Sequence, residues 1–381
     1  MKDTPLFGAA MDGSVVWGHR VSTNFLLKIK TLVRVMLLLL LVGVCLAVHA
    51  QTNEWVWMGG SSTVAKSWET TSYGTFQYGQ QGVYGALGVP ASGNVPGGRY
   101  SASNWTDSSG NLWLFGGEGF DSGDEVGILN DLWEFIPSTN QWTWVGGSNV
   151  SLCTVVMKHL VCTGQPGAYG TLGVPGVTNV PGGRAYASSS VDKNGNLWLF
   201  GGTGFDSNGA YGVFNDLWEF SPTTREWAWM GGSSMLACNV PSAQTYCGQP
   251  GVSGTLGVPG TTNVPGGRAG ASSWTDNAGN VWLFGGLGYD SAGDFGYLND
   301  LWDYSPSAGE WAWMGGKSTI PCTTVDGQSS CGQPGVYGTL GVAAATNFPG
   351  SRIDASNSTD GNGNLWLFGG DGNDSTASDW G

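Results

Sequence analysis

Short apolar runs separated by glycine-rich polar turns recur along this chain. A run such as LWLF follows a turn with Asp at its start and Gly-Asn at its end, and runs such as DLWEF and WAWM come after it. Short runs bounded by Gly, Asn and Asp predict β-strands. LWLF is apolar on both faces, so the strand must be covered on both sides. The pattern therefore predicts small sheets packed face to face.

These runs belong to a block that returns four times, and the spacing within the block is constant. From the first Arg to the Trp of LWLF is 14 residues in all four copies, and from that Trp to the Asp of NDLW is 18 in the three copies that have it. The four copies begin at Arg99, Arg184, Arg268 and Arg352. Constant offsets inside a block, with slippage only between blocks, indicate a repeated supersecondary element.

Each block supplies four strands of an antiparallel sheet, and sheets of this kind stack as the blades of a β-propeller. The blades are predicted at about 99–147, 184–232 and 268–316, with a partial blade at 352–381 completed by residues 55–60. The next NDLW Asp would fall at position 384. We expect part of a longer array rather than a complete ring of about four blades.

The block resembles the repeat of the kelch family, in particular secreted bacterial proteins described as galactose-oxidase-like. The resemblance is carried by the Gly-Gly after LWLF, the aromatics of LWEF and the closing tryptophans, over about residues 55–370. It implies an all-β, kelch-type propeller whose first strands lie nearest a central channel. The chain departs from ordinary kelch repeats in its connectors of 35 or 36 residues between blades.

The resemblance raises copper radical oxidase chemistry, which needs two histidine ligands. The chain has three His, of which His19 and His49 fall in the N-terminal segment and only His159 remains. One imidazole cannot replace two, so copper chemistry is excluded on ligand count. No other cofactor and no metal centre is predicted.

Residues 1–50 are interpreted as an N-terminal extension followed by an export signal, and residues 51–381 as the propeller. Lys28, Lys30 and Arg34 precede an apolar run from Val35 to Val48. A basic stretch before a run of this length is typical of a signal peptide and too short for a membrane span. The expected location is secreted, periplasmic or at the cell surface, with no stable membrane span after signal removal.

Six cysteines in the connectors support export. They form three pairs separated by 9 residues, Cys153/Cys162, Cys238/Cys247 and Cys322/Cys331. The same placement in three connectors predicts a local disulfide in each, formed in an oxidising compartment.

The charge composition limits the classes of partner that the protein is expected to bind. The net charge is −14 over the chain, and residues 51–381 hold 9 Lys and Arg against 26 Asp and Glu, a net of −17. Such a surface repels nucleic acid, so the partner is expected to be a protein or a carbohydrate.

Two sets of side chains are candidate ligand contacts. Arg99, Arg184, Arg268 and Arg352 either bind an acidic ligand near the channel, as the resemblance implies, or tie each blade to the Asp of its own NDLW. Tyr84, Tyr169 and Tyr337, in the motif GxYG, are candidates for exposed stacking platforms, and Ser253 interrupts the series.

The acidic loops after LWLF leave three interpretations open. They are solvated turns, weak calcium ligands, or the paired carboxylates of a glycosidase. The residues concerned are Glu118, Asp121, Asp124, Glu125, Asp206, Asp290, Asp294, Asp371 and Asp374.

The sequence favours a secreted, non-enzymatic binding scaffold whose recognition surfaces lie in the variable connectors. The alternative is a carbohydrate-active hydrolase or lyase that uses the loop carboxylates. No catalytic residue is assigned.

Overall fold

The computed structural model describes residues 55–63, 66–71, 74–156, 159–238, 247–325 and 328–376. The chain divides into two compact units, Met1–Met58 and Gly59–Gly381. The predicted export signal lies outside the described residues. Residues 55–60, expected to complete the last blade, form no strand. Within the described ranges all regular structure is β, as predicted.

Seven strands make up each of the first three repeats, and shorter pieces stand between them. Two strands precede the first repeat, β1 Lys66–Thr71 and β2 Gly74–Tyr78. Repeat 1 contains β3 Arg99–Tyr100, β4 Ser103–Thr106, β5 Leu112–Phe115, β6 Glu118–Phe120, β7 Val126–Ile128, β8 Leu132–Ile136 and β9 Gln141–Gly146, and is followed by β10 Leu152–Val156 and β11 His159–Thr163.

The same order returns in the later repeats. Repeat 2 contains β12 Arg184–Ala185, β13 Ser188–Val191, β14 Leu197–Phe200, β15 Thr203–Phe205, β16 Tyr211–Val213, β17 Leu217–Ser221 and β18 Glu226–Gly231, and is followed by β19 Cys247–Gly248. Repeat 3 contains β20 Arg268–Ala269, β21 Ser272–Thr275, β22 Val281–Phe284, β23 Leu287–Tyr289, β24 Phe295–Tyr297, β25 Leu301–Ser305 and β26 Glu310–Gly315, and is followed by β27 Cys322–Val325 and β28 Gln328–Cys331. The described part of repeat 4 contains β29 Arg352–Ile353, β30 Ser356–Thr359, β31 Leu365–Phe368 and β32 Asp371–Gly372.

Each of the first three repeats forms a four-stranded antiparallel sheet, the large sheet of the blade. The strand orders are β4-β5-β8-β9, β13-β14-β17-β18 and β21-β22-β25-β26, while β30 and β31 form a two-stranded sheet. In repeat 1, Trp105 pairs with Trp113 and Leu114 with Trp133. Because residues of the second strand are apolar on both faces, each large sheet needs a neighbour on either side.

Aromatic side chains fill the space between successive large sheets. Trp113 packs on Phe220 with ring centroids 5.3 Å apart, and Phe115 packs on Trp227 at 5.4 Å. Repeats 2 and 3 are joined by the equivalent contacts of Trp198 with Tyr304 and of Phe200 with Trp311. The large sheets therefore stack as the blades of a propeller, the predicted fold class.

The first strands of successive large sheets are linked to one another by side-chain hydrogen bonds. Ser103 donates its hydroxyl to the Ala187 carbonyl, and the indole Nε1 of Trp105 donates to the Trp198 carbonyl at 3.1 Å. The same serine position in the next two repeats makes the same contact. Polar groups on an inner strand are thus satisfied by the neighbouring blade.

A small sheet lies beside each large sheet. The strand orders are β3-β6-β7, β12-β15-β16-β19, β20-β23-β24 and β29-β32, and β19 joins β16 in parallel. In repeat 1 the small sheet pairs Arg99 with Gly119 and Tyr100 with Glu118. It holds the invariant Arg at one end of the first strand.

The segment before each repeat is called its arm, and in the first three repeats it covers the outer strand of the blade that follows. The arms are residues 82–98, 167–183, 251–267 and 335–351. In repeat 1, Gly88 donates its N–H to the Trp144 carbonyl, and Asn94 donates its side-chain amide to the Trp142 carbonyl. These bonds protect an edge strand that would otherwise expose unpaired backbone groups.

The predicted disulfides lie in the connectors between blades. Cys238 is bonded to Cys247, and Cys322 to Cys331. Cys153 is disulfide-bonded as well and lies opposite Cys162 in its hairpin. No helix in the described ranges is long and apolar enough to cross a membrane.

Candidate ligand-binding site

The invariant Arg of each complete repeat is joined to the Asp of its own NDLW. In repeat 2, Arg184 binds Asp216 through two parallel hydrogen bonds of 2.7 and 2.8 Å, and both side chains are fully buried. The same Asp accepts the hydroxyl of Tyr169 at 2.7 Å and the indole N–H of Trp218 at 2.7 Å. Repeats 1 and 3 contain the same ion pair.

The electrostatics of this cluster follow from burial and from the carboxylate. Burial alone lowers the pKa of Arg184, but the charge of Asp216 and its hydrogen bond outweigh burial and hold the pKa above its usual range. Burial, with the Asp216 charge, also raises the pKa of Tyr169. The cluster is therefore a fixed ion pair with a neutral tyrosine at physiological pH.

Several of the predicted ligand-binding residues belong to this buried cluster. Arg99, Arg184 and Arg268 make their ion pairs inside the blade, which is the structural alternative of the sequence analysis. The expectation that Tyr84 and Tyr169 are exposed is wrong, since they are 4% and 8% exposed and donate to Asp131 and Asp216. Their hydroxyls complete the carboxylate's hydrogen bonds, which is why they point inward.

Repeat 4 differs. Arg352 donates to the carbonyls of Gly350 and Gly369, and lies 3.4 Å from the Tyr337 hydroxyl. In the part of the chain that the structure describes, Arg352 has no acidic partner, and Tyr337 is 57% exposed. Ligand binding by Arg352 and Tyr337 stays a prediction.

The aspartates of the acidic loops organise the loops themselves. One Asp290 oxygen accepts the backbone N–H groups of Ala292 and Asp294, and the other accepts that of Ile320 at 2.8 Å. Asp121 and Asp206 make equivalent bonds and are nearly inaccessible. These contacts favour turns among the three interpretations, but Asp121, Asp206 and Asp290 are buried rather than solvated. Within the described ranges there is no group of three or more His, Cys, Asp or Glu arranged to hold a metal ion.

A cavity of about 370 Å³ lies where the starts of the four first strands converge. It is called the channel mouth and is lined by Ser101, Ala102, Ser103, Asn104, Tyr186, Ala187, Ser189, Gly270, Ala271, Asp354, Ala355 and Ser356. All four repeats contribute to it. A ligand bound here contacts several blades at once.

One position at the channel mouth has a left-handed backbone in every repeat. Two residues after the invariant Arg stand Ser101, Tyr186, Gly270 and Asp354, with φ of 53°, 59°, 65° and 51°. Their main chains are joined in series, Tyr186 N–H to Ser101, Gly270 N–H to Tyr186 and Asp354 N–H to Gly270, each at 2.9 Å. A positive φ is unfavourable for a bulky residue such as Tyr186, and strain of this kind concentrates at functional sites.

This ring position carries a different side chain in each repeat, although the backbone is the same. Gly270 leaves space for its neighbour, because a Cβ there would lie 2.9 Å from a carboxylate oxygen of Asp354. Burial raises the pKa of Asp354, and the nearby charge of Asp371 raises it further. The channel mouth is thus asymmetric in shape and charge, as a site for one ligand must be.

Three tyrosines extend the site over the small sheets of repeats 1 and 2. Tyr186 meets Tyr100 edge to face at 6.5 Å, and Tyr100, Tyr186 and Tyr211 are each 40–51% exposed. Burial and a hydrogen bond to Glu118 raise the pKa of Tyr100, so its hydroxyl stays protonated. Exposed tyrosines give rigid contact area at low entropic cost.

Sequence reasoning missed this site. The signal was a variable position two residues after an invariant Arg, but the preceding position varies too, as Tyr100, Ala185, Ala269 and Ile353. Only Gly270 hints at a left-handed backbone, and the aligned Ser, Tyr and Asp hide it.

Comparisons with known proteins give one short similarity. The chain is 43% identical over 47 residues to N-acetylneuraminate epimerases of Shigella flexneri serotype 5b (strain 8401) and of Shigella flexneri. The matched stretch is 12% of this chain and 13% of the length of each relative. No protein-family model matches the chain.

Proposed function

We propose that this protein is a secreted, non-enzymatic β-propeller of kelch type that binds a glycan at the channel mouth. The observation that carries the proposal is the ring position, where Ser101, Tyr186, Gly270 and Asp354 share one left-handed backbone and differ in side chain. A residue needed by the blade is the same in every blade, whereas a residue that contacts an asymmetric ligand differs. Disulfide-bonded hairpins favour an oxidising, extracytoplasmic location.

A glycan is favoured by the chemistry of the lining. Hydroxyl and amide side chains line the cavity, and exposed tyrosines stand beside it. Adaptable hydrogen-bonding groups next to rigid aromatic surface suit a polyhydroxylated ligand. The connectors support this location less well, because their arms are engaged with the edge strands of the blades.

A glycan array probed with the purified full chain tests the proposal. Tyr186→Gly is expected to weaken capture at least tenfold, and it suits the left-handed backbone that Gly270 adopts in the next repeat. Phe368→Ala removes an exposed aromatic side chain that does not line the channel mouth and is expected to leave capture unchanged. Loss on deleting a Cys-bounded hairpin, with Tyr186→Gly unaffected, would assign recognition to the connectors instead.

A second candidate is an enzyme acting on sugars. It is favoured by the short match to proteins named N-acetylneuraminate epimerase and by the raised pKa of Asp354, which suits a proton-transferring carboxyl group. NMR spectra of a panel of sugars incubated with the protein test it directly. Turnover that is lost in Asp354→Asn would support the enzyme, and unchanged spectra at high protein concentration would exclude it.

A further inference from the structure

The channel mouth carries one kind of charge. Asp354 is exposed to the cavity, and no Lys, Arg or His belongs to the described residues that line it. The Asp354 carboxylate makes no hydrogen bond with another described residue, so nothing neutralises it directly. Asp371 pairs with Ile353, the residue before Asp354, in the small sheet of repeat 4, and its charge raises the pKa of Asp354.

The basic side chains closest in sequence to the ring position do not neutralise the Asp354 carboxylate. Arg99, Arg184 and Arg268 each lie two residues before it, but their guanidinium groups are buried against the aspartates of their own blades. A cation committed to a buried bidentate pair offers no free donor to an anionic ligand. Arg352 has no such ion pair, but it donates to the carbonyls of Gly350 and Gly369 and does not line the cavity. The charge on the described lining is therefore negative.

From these contacts we infer that the channel mouth selects uncharged sugars and rejects sugars that carry a carboxylate. A cleft lined by one sign of charge concentrates its field and disfavours ligands of the same sign. The inference rests on the proposed function, because it names the class of glycan for that same site. It predicts that the protein does not share the acidic substrate named for the short-matching epimerases.

The experiment compares sugars that differ by one carboxylate. Binding to the full chain is measured by ligand-observed NMR at low ionic strength for glucose and glucuronic acid, galactose and galacturonic acid, and the methyl ester and free acid of N-acetylneuraminic acid. The uncharged member of at least one pair is expected to bind, and to bind at least tenfold more tightly than its acid.

Two matched variants assign the effect. Asp354→Asn removes the charge and keeps a residue that tolerates a left-handed backbone, so the preference is expected to fall below threefold. Ser101→Asn makes a similar change at the same ring position in repeat 1, without altering charge, and is expected to keep the preference.

The remaining outcomes overturn the inference in distinguishable ways. Equal binding of acid and uncharged sugar, or a preference that survives Asp354→Asn, refutes the role of the carboxylate while the proposed glycan binding stands. If no uncharged member binds, the inference is wrong, and the glycan array decides separately whether the proposed function stands.

Discussion

Replacing Asp216 by Asn should be among the most damaging single changes in this protein. One Asp216 oxygen accepts three donors, from Arg184, Tyr169 and Trp218, and the other accepts a second bond from Arg184. An Asn side chain has one oxygen, so its NH₂ group must face at least one donor of the guanidinium. The substitution also leaves the Arg184 charge uncompensated, with 0% of the side chain exposed.

The magnitude follows from this burial. Breaking one partner of a buried ion pair costs about 3–5 kcal/mol, and the unfavourable donor–donor contact places Asp216→Asn in the upper part of that range. The free energy of unfolding of a domain is only about 5–15 kcal/mol. A single amide in place of a carboxylate therefore removes a large fraction of the stability.

Urea unfolding, followed by tryptophan fluorescence and far-ultraviolet circular dichroism, measures the effect. Arg352→Met is the matched control, because this Arg has no acidic partner among the described residues, and it is expected to cost less than about 1 kcal/mol. Arg184→Met is expected to cost about as much as Asp216→Asn. A loss below about 1 kcal/mol for Asp216→Asn would refute the assignment of the cluster as the anchor of each blade.

Four further substitutions test the packing and the electrostatics by the same unfolding measurements. Tyr304→Phe should stabilise by about 1 kcal/mol, because the buried hydroxyl has no hydrogen-bond partner among the described residues and the first two repeats have Phe there; a loss of stability would contradict this. Burial and the charge of Asp276 raise the pKa of Asp303 to about 6, so the folded state binds this proton more tightly than the unfolded state. The resulting stability is present below about pH 4 and lost as the pH rises through about 6, so the Asp303→Asn variant should lose that pH dependence and gain about 1 kcal/mol at pH 7. In Gly201→Ala the new methyl group would meet a main-chain carbonyl oxygen of the next repeat at 2.5 Å, so the free energy of unfolding should fall by about 3 kcal/mol. Gly369→Ala is the control, because this Gly has a similar φ and nothing within 4 Å, and its cost should be about 1 kcal/mol. Equal costs would contradict the close contact between blades.

The large sheets could be predicted from the sequence because their apolar runs are strong and evenly spaced. LWLF is the second strand Leu112–Phe115, and DLWEF and WxWM overlap Leu132–Ile136 and Gln141–Gly146. The Asp-to-Asn turn between the first two strands is also present. Leu197–Phe200 is buried on both faces as predicted, whereas Leu112, Trp366 and Phe368 in the first and last repeats are exposed.

The small sheets could not be predicted, because ladders of two or three residues leave no periodic pattern. Ser101 has a left-handed backbone and divides the stretch after the Arg into the two strands Arg99–Tyr100 and Ser103–Thr106. The kink is held by hydrogen bonds to the next repeat, so it depends on tertiary contacts that local sequence does not encode.

The candidate site illustrates the same limit. The invariant Arg and the tyrosines of GxYG were predicted as candidate ligand contacts because they repeat. In the complete repeats they are buried structural groups. The residues at the ring position could not be recognised as a site from the sequence, because Ser, Tyr, Gly and Asp share no chemistry. Only the stacking of blades brings Tyr186 and Asp354 to one cavity.

A crystal structure of the protein with a bound uncharged glycan from the array is the most direct measurement. The account predicts ligand density at the meeting point of the four first strands, in contact with Tyr186 and within hydrogen-bonding distance of Asp354. Density confined to the arms or to the disulfide hairpins, with the channel mouth empty, would contradict it.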